Sequence, residues 1–306
     1  LSKKKDVEVQ IIQQETRTGK ANALNCALEY STGEAIAISD AECFWPSDAL
    51  RNAVKYLADP IVGAVTGVHV IINPEQTQAT KTEAAYRDIY RLLRIGESKL
   101  HSTPLFEGEF ALFRRNCLDR FDEKIGADDV AAALAMVKKG YRAIAAPDVK
   151  FYEPTPHSWR EKMRQKTRRG LHVIQAFVAN TDQLFKRNYF SSLILPMEMY
   201  LYLVNPIIWL TLILTSIFVA FIHPVLLAFL AIPLLLVVVH PVTRNLLMTY
   251  LVSNAIMTLA IFQHVVGRKQ LAWAKIEETR TGYRPSDLRR SGDAAIECSS
   301  NETVTQ

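Results

Sequence analysis

The spacing of apolar and polar residues divides the chain into three parts. In residues 1–187, short apolar runs alternate with stretches in which apolar residues recur every three or four positions. Residues 188–266 are almost entirely apolar. Residues 267–306 are basic at first and polar at the end, and we expect a cytoplasmic tail whose end is disordered. We therefore predict a folded domain, a membrane region and a tail.

Within the first part, the apolar runs predict strands and the stretches between them predict helices. The expected strands are residues 7–12, 34–39 and 61–72, and the expected helices are residues 19–32, 47–58 and 81–100. Residues 34–39 do not alternate, so we expect this strand to be buried on both faces. In the last helix, Tyr86, Ile89, Tyr90 and Leu93 form an apolar stripe that we interpret as packing. Strands that alternate with helices predict an α/β domain around a largely parallel sheet.

Three apolar runs in the second part have the length of a membrane-spanning helix, about 20 residues. They are residues 203–222, 224–239 and 246–266. None of them offers a polar face to water, which favours membrane insertion over burial as core helices. Lysine and arginine gather on both flanks, so the positive-inside rule predicts a multi-pass cell-membrane protein with both flanks in the cytoplasm. Because three crossings would separate the flanks, either one run is interfacial or re-entrant, or the stretch from Tyr189 holds more than one element.

The composition narrows the choice of partners and the redox chemistry. The 306 residues carry a formal charge of +5, and the surplus of lysine and arginine lies around the apolar region. This arrangement predicts contact with membrane lipids, and we expect no nucleic acid partner. The four cysteines lack a CxxC spacing, so we expect reduced thiols and neither a disulfide framework nor a zinc site. The charged start of the chain has no apolar stretch of the kind found in a cleavable signal.

Two carboxylates follow the second predicted strand directly. Asp40 and Glu42 come after the apolar run 34–39, with one small residue between them. Open α/β sheets bind ligands beyond the carboxyl ends of their strands. Acidic loop residues also cap turns, but Phe44 and Trp45 make this loop partly apolar, and two unpaired carboxylates there would repel each other. We therefore expect Mg²⁺ or Mn²⁺ at this position, holding a phosphorylated donor.

Four segments, in order, resemble the family-two glycosyltransferases of the GT-A fold. The stretch GKANALNCALEYSTGEAIAISDAECFWPSDAL resembles the region in which a Gly-Lys-x-x-Ala-Leu-Asn segment precedes the DXD signature, here Asp40-Ala41-Glu42. FEGEFALFRR resembles the glycine-containing segment near the acceptor, and GADDVAAALAMVKKGYRAIAAPDVKFYEPTPHS resembles the Glu-Asp segment. QKTRR stands where the membrane synthases of cellulose, chitin and hyaluronan carry QXXRW. The resemblance covers about residues 7 to 287.

This resemblance implies a GT-A-type, Rossmann-like nucleotide-sugar domain followed by α-helical transmembrane segments. It implies a membrane-bound, metal-dependent inverting glycosyltransferase, a hexosyltransferase that uses a nucleotide-sugar donor in polysaccharide biosynthesis. The implied metal ligands are Asp40 and Glu42, the donor-binding residues are Lys20, Asp40, Glu42, Gln165, Arg168 and Arg169, the acceptor-binding residues are Gly108 and Glu109, and the catalytic pair is Asp129, as general base, with Asp128.

Each implied role has a simpler alternative. The basic segment around Arg168 can bind anionic headgroups instead of a diphosphate, although a guanidinium fork suits phosphate geometry. Asp128 and Asp129 can serve as an N-terminal helix cap, a role compatible with catalysis. Lys20 can simply be solvated.

Two departures from the family pattern bear on the acceptor. Arg169 replaces the tryptophan of QXXRW, which removes an aromatic platform for a sugar. The chain also begins after the position of the family's first strand, so we expect an N-terminally incomplete domain. The acceptor is then either a growing polysaccharide or glycan, or a polyprenyl phosphate lipid. A non-catalytic membrane assembly module is the alternative of a different class.

Overall fold

A computed structural model describes residues 8–16, 18–126, 128–223, 225, 241–268 and 277–279. The four strands are β1 (Ala35–Ile38), β2 (Val62–Ile71), β3 (Ala111–Arg114) and β4 (Arg142–Glu153). The helices are α1 (Lys20–Tyr30), α2 (Ala49–Tyr56), α3 (Gln78–Leu100), α4 (Asp128–Lys138), α5 (Trp159–Ala179), α6 (Phe190–Ile222) and α7 (Pro241–Val265). The three helices predicted in the first domain correspond to α1, α2 and α3.

The sheet is mixed, with the strand order β1-β3-β2-β4. β3 runs antiparallel to both β1 and β2, whereas β2 and β4 are parallel. The prediction of a largely parallel sheet is therefore wrong for β3, which runs in the opposite direction to its two neighbours. Its reversal has a local cause, because the chain returns along the sheet after α3, where the Thr103 N–H donates to the Ala143 carbonyl, and turns back at a bridge between Glu107 and Phe110. As a result β1, β2 and β4 end at the edge where β3 begins.

At the start of the chain, one predicted strand is not observed, and another, β1, is observed but is less buried than we expected. Residues 8–12 form no strand and are exposed. β1 is not buried on both faces, because it lies at the edge of the described sheet, where Ile38 is buried and Ala37 is exposed. Its apolar run therefore reflects its place beside β3 rather than a central position in the sheet.

The core consists of two apolar layers, one on each face of the sheet. On one face, Ala64 and Phe113 pack with α4, α5 and the start of α6. On the other face, the adjacent strand positions Val65 and Leu112 pack with α2. This alternation along β2 and β3 buries both faces of the strands, as in an α/β domain with helices on both sides. The predicted α/β class is confirmed.

The apolar region contains two long helices in its described part. By length and composition, Phe190–Ile222 and Thr243–Val265 are candidate membrane spans. α6 is continuous, with π-helical turns at Phe190–Ile194 and Tyr200–Val204. Each π turn ends two residues before a proline, Pro196 or Pro206, which cannot join a regular helical hydrogen-bond ladder.

The predicted runs map onto these helices in two of the three cases. Residues 203–222 lie within α6, and residues 246–266 largely coincide with α7. Apart from Val225, the run 224–239 lies outside the described residues. α7 packs against the first domain, because Met257 and Ala260 form an apolar cluster with Leu171 and Ile174 of α5. The cavity described below opens between these helices and the first domain.

Candidate active site

A cavity of about 420 Å³ opens at the edge of the sheet where β1, β2 and β4 end. Asp40 follows β1, and Glu109 precedes β3 at the same edge. Both line the cavity. Including these two, seven of the predicted site residues line the cavity: Lys20, Asp40, Gly108, Glu109, Asp129, Arg168 and Arg169. The fold thus collects residues that lie up to 149 positions apart in the sequence.

At the polar end of the cavity, four of these residues meet. Lys20 at the start of α1 places its Nζ atom 2.8 Å from Oδ1 of Asp40. A Cβ atom at Gly108 would lie 2.9 Å from Lys20 Nζ and 3.2 Å from Asp129 Oδ2, so only glycine leaves room for both side chains. The Val130 N–H donates to Asp129 Oδ1 at 2.8 Å. This bond fixes the carboxylate at the beginning of α4, with Oδ2 near Gly108.

The environment of Asp40 favours a cation beside it. Burial raises the pKa of Asp40, and the Lys20 ammonium opposes this effect. The side chain remains 31% exposed, so a ligand in the cavity can reach it. A carboxylate that is costly to ionise alone gains from a positive partner, which is Lys20 in this structure.

Arg169 lies between two buried carboxylates. Its Nη2 atom is 2.6 Å from Glu109 Oε1 and 3.7 Å from Glu153 Oε1. Burial disfavours ionisation of Glu109, but Arg169 holds the pKa of this carboxyl well below its usual range. Burial, together with the nearby Glu109, raises the pKa of Glu153 well above its usual range. The Trp45 indole N–H also donates to the Glu109 carbonyl at 3.0 Å, so Glu109 orients Arg169 from a fixed position.

Sequence reasoning missed a buried ion-pair network that supports this wall of the cavity. Glu83 lies 3.0 Å from Arg87 Nε and 2.7 Å from Lys166 Nζ, and Arg87 also pairs with Glu107. Although burial opposes ionisation, Lys166 and Arg87 hold the pKa of Glu83 well below its usual range. Burial lowers the pKa of Lys166 to about 8. The signal in the sequence was a Glu83–Arg87 pair at i,i+4 beside the apolar stripe of α3.

The apolar stripe of α3 has a different surrounding from the one we expected. Tyr86, Ile89, Tyr90 and Leu93 line the cavity, and Ile89 and Leu93 are 41% and 40% exposed. The interpretation as packing is therefore incomplete, because Tyr90 packs against the core but the stripe also forms a wall of the open cavity.

Three predicted site residues are placed differently. Glu42 and Gln165 are half-buried, and neither is among the described residues that line the cavity. Glu42 lies in the turn after β1, and Gln165 lies one helical turn before Arg169 on α5. The side chain of Asp128 lies outside the described part of the structure.

Two sets of side chains have the chemistry to bind a cation. Asp40 offers a hard oxygen ligand at the surface of the cavity. His69, Glu107 and Glu109 form a second set, with ligand atoms within 4.8 Å of one another, and all three are buried. Arg87 and Arg169 already pair with the two glutamates of the second set. Asp40 is also paired, with Lys20, but its side chain is 31% exposed whereas the second set is buried. Accessibility from the cavity therefore favours Asp40 as the position for a metal ion.

Comparisons with known proteins agree with this architecture. The family model described as glycosyltransferase like family 2 matches residues 2–171. The chain is 28% identical over 180 residues to the probable glycosyltransferase YdaM of Bacillus subtilis, covering 55% of this chain and 41% of that protein. It is 24% identical over 159 residues to the poly-beta-1,6-N-acetyl-D-glucosamine synthase of Staphylococcus aureus (strain COL), covering 49% of this chain and 38% of that protein. The chain thus spans about two fifths of the length of these curated relatives.

A solved structure extends the similarity beyond the first domain. The mannosyltransferase PcManGT from Pyrobaculum calidifontis, in complex with GDP-Man and Mn²⁺, superposes with a TM-score of 0.69 at 34% sequence identity. The match covers 85% of this chain and 70% of that chain. With a family model that matches more than half of its residues and the strand arrangement described above, the chain belongs to glycosyltransferase family 2 and has the GT-A fold.

Proposed function

We propose that the protein is a membrane-bound, divalent-metal-dependent inverting glycosyltransferase that moves a sugar from a nucleotide-sugar donor to an acceptor. The observation that carries this proposal is the meeting of Lys20, Asp40, Gly108 and Asp129 at one end of a single cavity. These residues supply a place for a cation, a positive group for phosphate and a base. Such a set is what transfer from a diphosphate leaving group requires.

Asp40 is the residue best placed to hold the metal ion, whereas Glu42 lies in the same turn but outside the lining of the cavity. When bound, Mg²⁺ or Mn²⁺ would neutralise the charge that develops on the diphosphate as it leaves. The fit is supported by the partial exposure of Asp40 and by its need for a positive partner. The similarity to a mannosyltransferase solved with GDP-Man and Mn²⁺ supports the same assignment.

The cationic side chains of the cavity would bind the diphosphate of the donor. Lys20 lies within reach of Asp40, and Arg168 and Arg169 line the same cavity from α5. The Arg169 guanidinium is held in place by Glu109 and Glu153. A guanidinium held in this way binds phosphate oxygens with little further ordering.

Asp129 would act as the general base on the acceptor hydroxyl. Its Oδ1 atom is held by the Val130 N–H, and Oδ2 lies near Gly108 at the polar end of the cavity. A base in this position removes the hydroxyl proton as the acceptor oxygen attacks the anomeric carbon from the face opposite the diphosphate. This single displacement inverts the anomeric configuration. General base catalysis contributes a factor of about 10² to 10⁴ in rate.

The membrane location rests on the apolar helices. Both Phe190–Ile222 and Thr243–Val265 are long and apolar enough to cross a bilayer, and little of the first is buried within the protein. Since lysine and arginine flank this region, the catalytic domain would lie on the cytoplasmic side, where nucleotide sugars are available to it.

A binding experiment tests the proposal at the metal site. The full chain, purified in detergent, would be titrated with a panel of labelled nucleotide sugars, with Mn²⁺ or Mg²⁺ and with a chelator. We expect donor binding that depends on the metal and is lost in Asp40→Asn. Asp119→Asn is the matched control, because Asp119 is 79% exposed and pairs only at the surface with Lys139. Donor binding that is unchanged both by the chelator and by Asp40→Asn would contradict the proposal.

A further inference from the structure

The cavity continues past the proposed catalytic residues to the two candidate membrane helices. Its far wall is formed by Asn205 on α6 and by Thr249, Ser253 and Asn254 on α7. Four polar side chains of these two mainly apolar helices therefore face the same space, which Glu198 of α6, paired with Arg94, also lines. Polar side chains within membrane helices are costly to bury and commonly mark substrate pathways.

Two of these four groups are already satisfied. Asn205 Nδ2 donates to Asn254 Oδ1 at 2.7 Å, and the Tyr250 hydroxyl donates to Asn205 Oδ1 at 3.3 Å. These bonds connect α6 to α7, and they explain the amides without any ligand. The polar character of the wall is thus only partly structural.

Thr249 has no such partner. Its residue surface is 6% exposed, and its Oγ1 atom makes no hydrogen bond within the described part of the chain. Leaving a buried hydroxyl without a partner costs about 1–3 kcal/mol. Ser253 presents a second hydroxyl to the cavity one helical turn further along α7. A ligand with hydroxyl groups of its own would satisfy both positions.

The opposite wall of the cavity offers rings and aliphatic groups. Tyr86 and Tyr90 of α3 lie with their rings 5.5 Å apart, and Tyr202 and Leu93 line the same space. A mainly apolar pocket with a few placed hydrogen-bonding groups is typical of small-ligand sites, and 420 Å³ lies within the usual range of about 300–1,000 Å³. A sugar ring combines apolar C–H faces with a rim of hydroxyls. An isoprenoid chain has no hydrogen-bonding group and would leave Thr249 unsatisfied.

We propose that the membrane-side end of this cavity is a subsite for a sugar unit of the acceptor, with Thr249 as a hydrogen-bonding partner and the tyrosines of α3 as its apolar wall. This inference rests on the proposed glycosyltransferase function and specifies the acceptor class as a glycan. A bare polyprenyl phosphate becomes the alternative outcome of the test. The acceptor would run from this subsite toward Asp129 along one continuous cavity.

The test compares two acceptor probes and two variants of α7. The full chain in detergent would receive labelled donor together with either short oligosaccharides of mannose and of N-acetylglucosamine, or a polyprenyl phosphate. We expect an oligosaccharide to accept the label, and Thr249→Val to raise its KM about three- to tenfold, which is the loss of one neutral hydrogen bond. Thr258→Val makes the same chemical change on the same helix, outside this cavity, and should behave as wild type.

Calorimetry with the oligosaccharide alone separates this inference from the function on which it rests. Absence of donor binding would refute the proposed function, while oligosaccharide affinity still reports on the subsite. The inference is overturned if only polyprenyl phosphate accepts the label, or if Thr249→Val binds the oligosaccharide as Thr258→Val does. The unfolding temperature of each variant identifies a folding defect, and Ser253→Ala then provides a second measurement at the same wall.

Discussion

Removal of the Glu83 charge is expected to lower the stability of the domain beneath the candidate active site. The side chain is 3% exposed, accepts a hydrogen bond from Arg87 at 3.0 Å and forms ion pairs with Lys166 at 2.7 Å and with Lys162 at 3.6 Å. In Glu83→Gln, three buried cations lose a common counter-charge, although Arg87 retains Glu107. Breaking a buried ion pair from one side costs about 3–5 kcal/mol.

Two features of Lys166 indicate that the loss of stability lies toward the lower end of this range. Burial already lowers the pKa of Lys166 to about 8, so this lysine can release its proton when its partner is removed. Its Nζ atom also lies 3.6 Å from the ring centroid of Tyr86, a contact that the variant keeps. We therefore expect the free energy of unfolding of Glu83→Gln to fall by about 3 kcal/mol, equivalent to a fall in Tm of roughly 6–12 °C for a domain of this size.

The pH dependence gives this prediction a definite sign. A lysine whose folded pKa is about 8, below its ordinary value of 10.5, is neutral in the folded state above that pH while still charged in the unfolded chain. Without Glu83 the pKa of Lys166 falls further, so below pH 8 only the wild type keeps this proton in the folded state. The stability difference between Glu83→Gln and the wild type should therefore shrink as the pH rises toward 8 and stay constant above it.

Thermal unfolding in detergent at a fixed scan rate, at neutral and at alkaline pH, measures both effects. The control is Glu75→Gln, because Glu75 pairs with Lys81 at 2.9 Å but is 80% exposed, and such surface pairs contribute about 0–1 kcal/mol. If Glu83→Gln unfolds at the same temperature as Glu75→Gln, the buried network does not stabilise the domain and the reasoning fails.

Two further variants test the site and its support. Gly108→Ala should lower turnover with little change in Tm, because the new Cβ atom would lie 2.9 Å from the flexible end of Lys20 and 3.2 Å from Asp129; wild-type turnover in an activity assay would contradict this. Burial raises the pKa of Glu97 from 4.5 to about 8 despite Arg94, so the folded state holds a proton that the unfolded chain releases, and stability should fall as the pH rises between these values. Glu97→Gln should abolish this slope in unfolding curves recorded across the same range, and an unchanged slope would assign it to another group.

The positions of the site residues were predictable to the extent that they follow the ends of regular elements. Asp40 comes two residues after the end of β1, and Asp129 lies at the beginning of α4, so their place at one edge of the sheet follows from the chain order. Lys20 begins α1, and Gly108 precedes β3 at the same edge. The resemblance to known motifs supplied their roles, which the experiments proposed here would test.

What could not be predicted depends on contacts between distant parts of the chain. Lys166 pairs with Glu83 from a different helix, and Glu109 pairs with Arg169 across 60 positions. The pattern of a single helix shows which residues share a face but not which helix or cavity lies opposite. For the same reason the reversal of β3 and the exposure of Leu93 to a cavity were not visible in the spacing of apolar residues.

The most direct test of the proposed mechanism is the turnover of Asp129→Asn measured together with its donor affinity. The full chain would be assayed with labelled nucleotide sugar, Mn²⁺ and acceptor, and donor binding would be followed by calorimetry on the same preparation. We predict that turnover falls by a factor of about 10² to 10⁴ while metal-dependent donor binding persists, because the base is lost and the site around Asp40 is intact. Full turnover in Asp129→Asn would contradict the account.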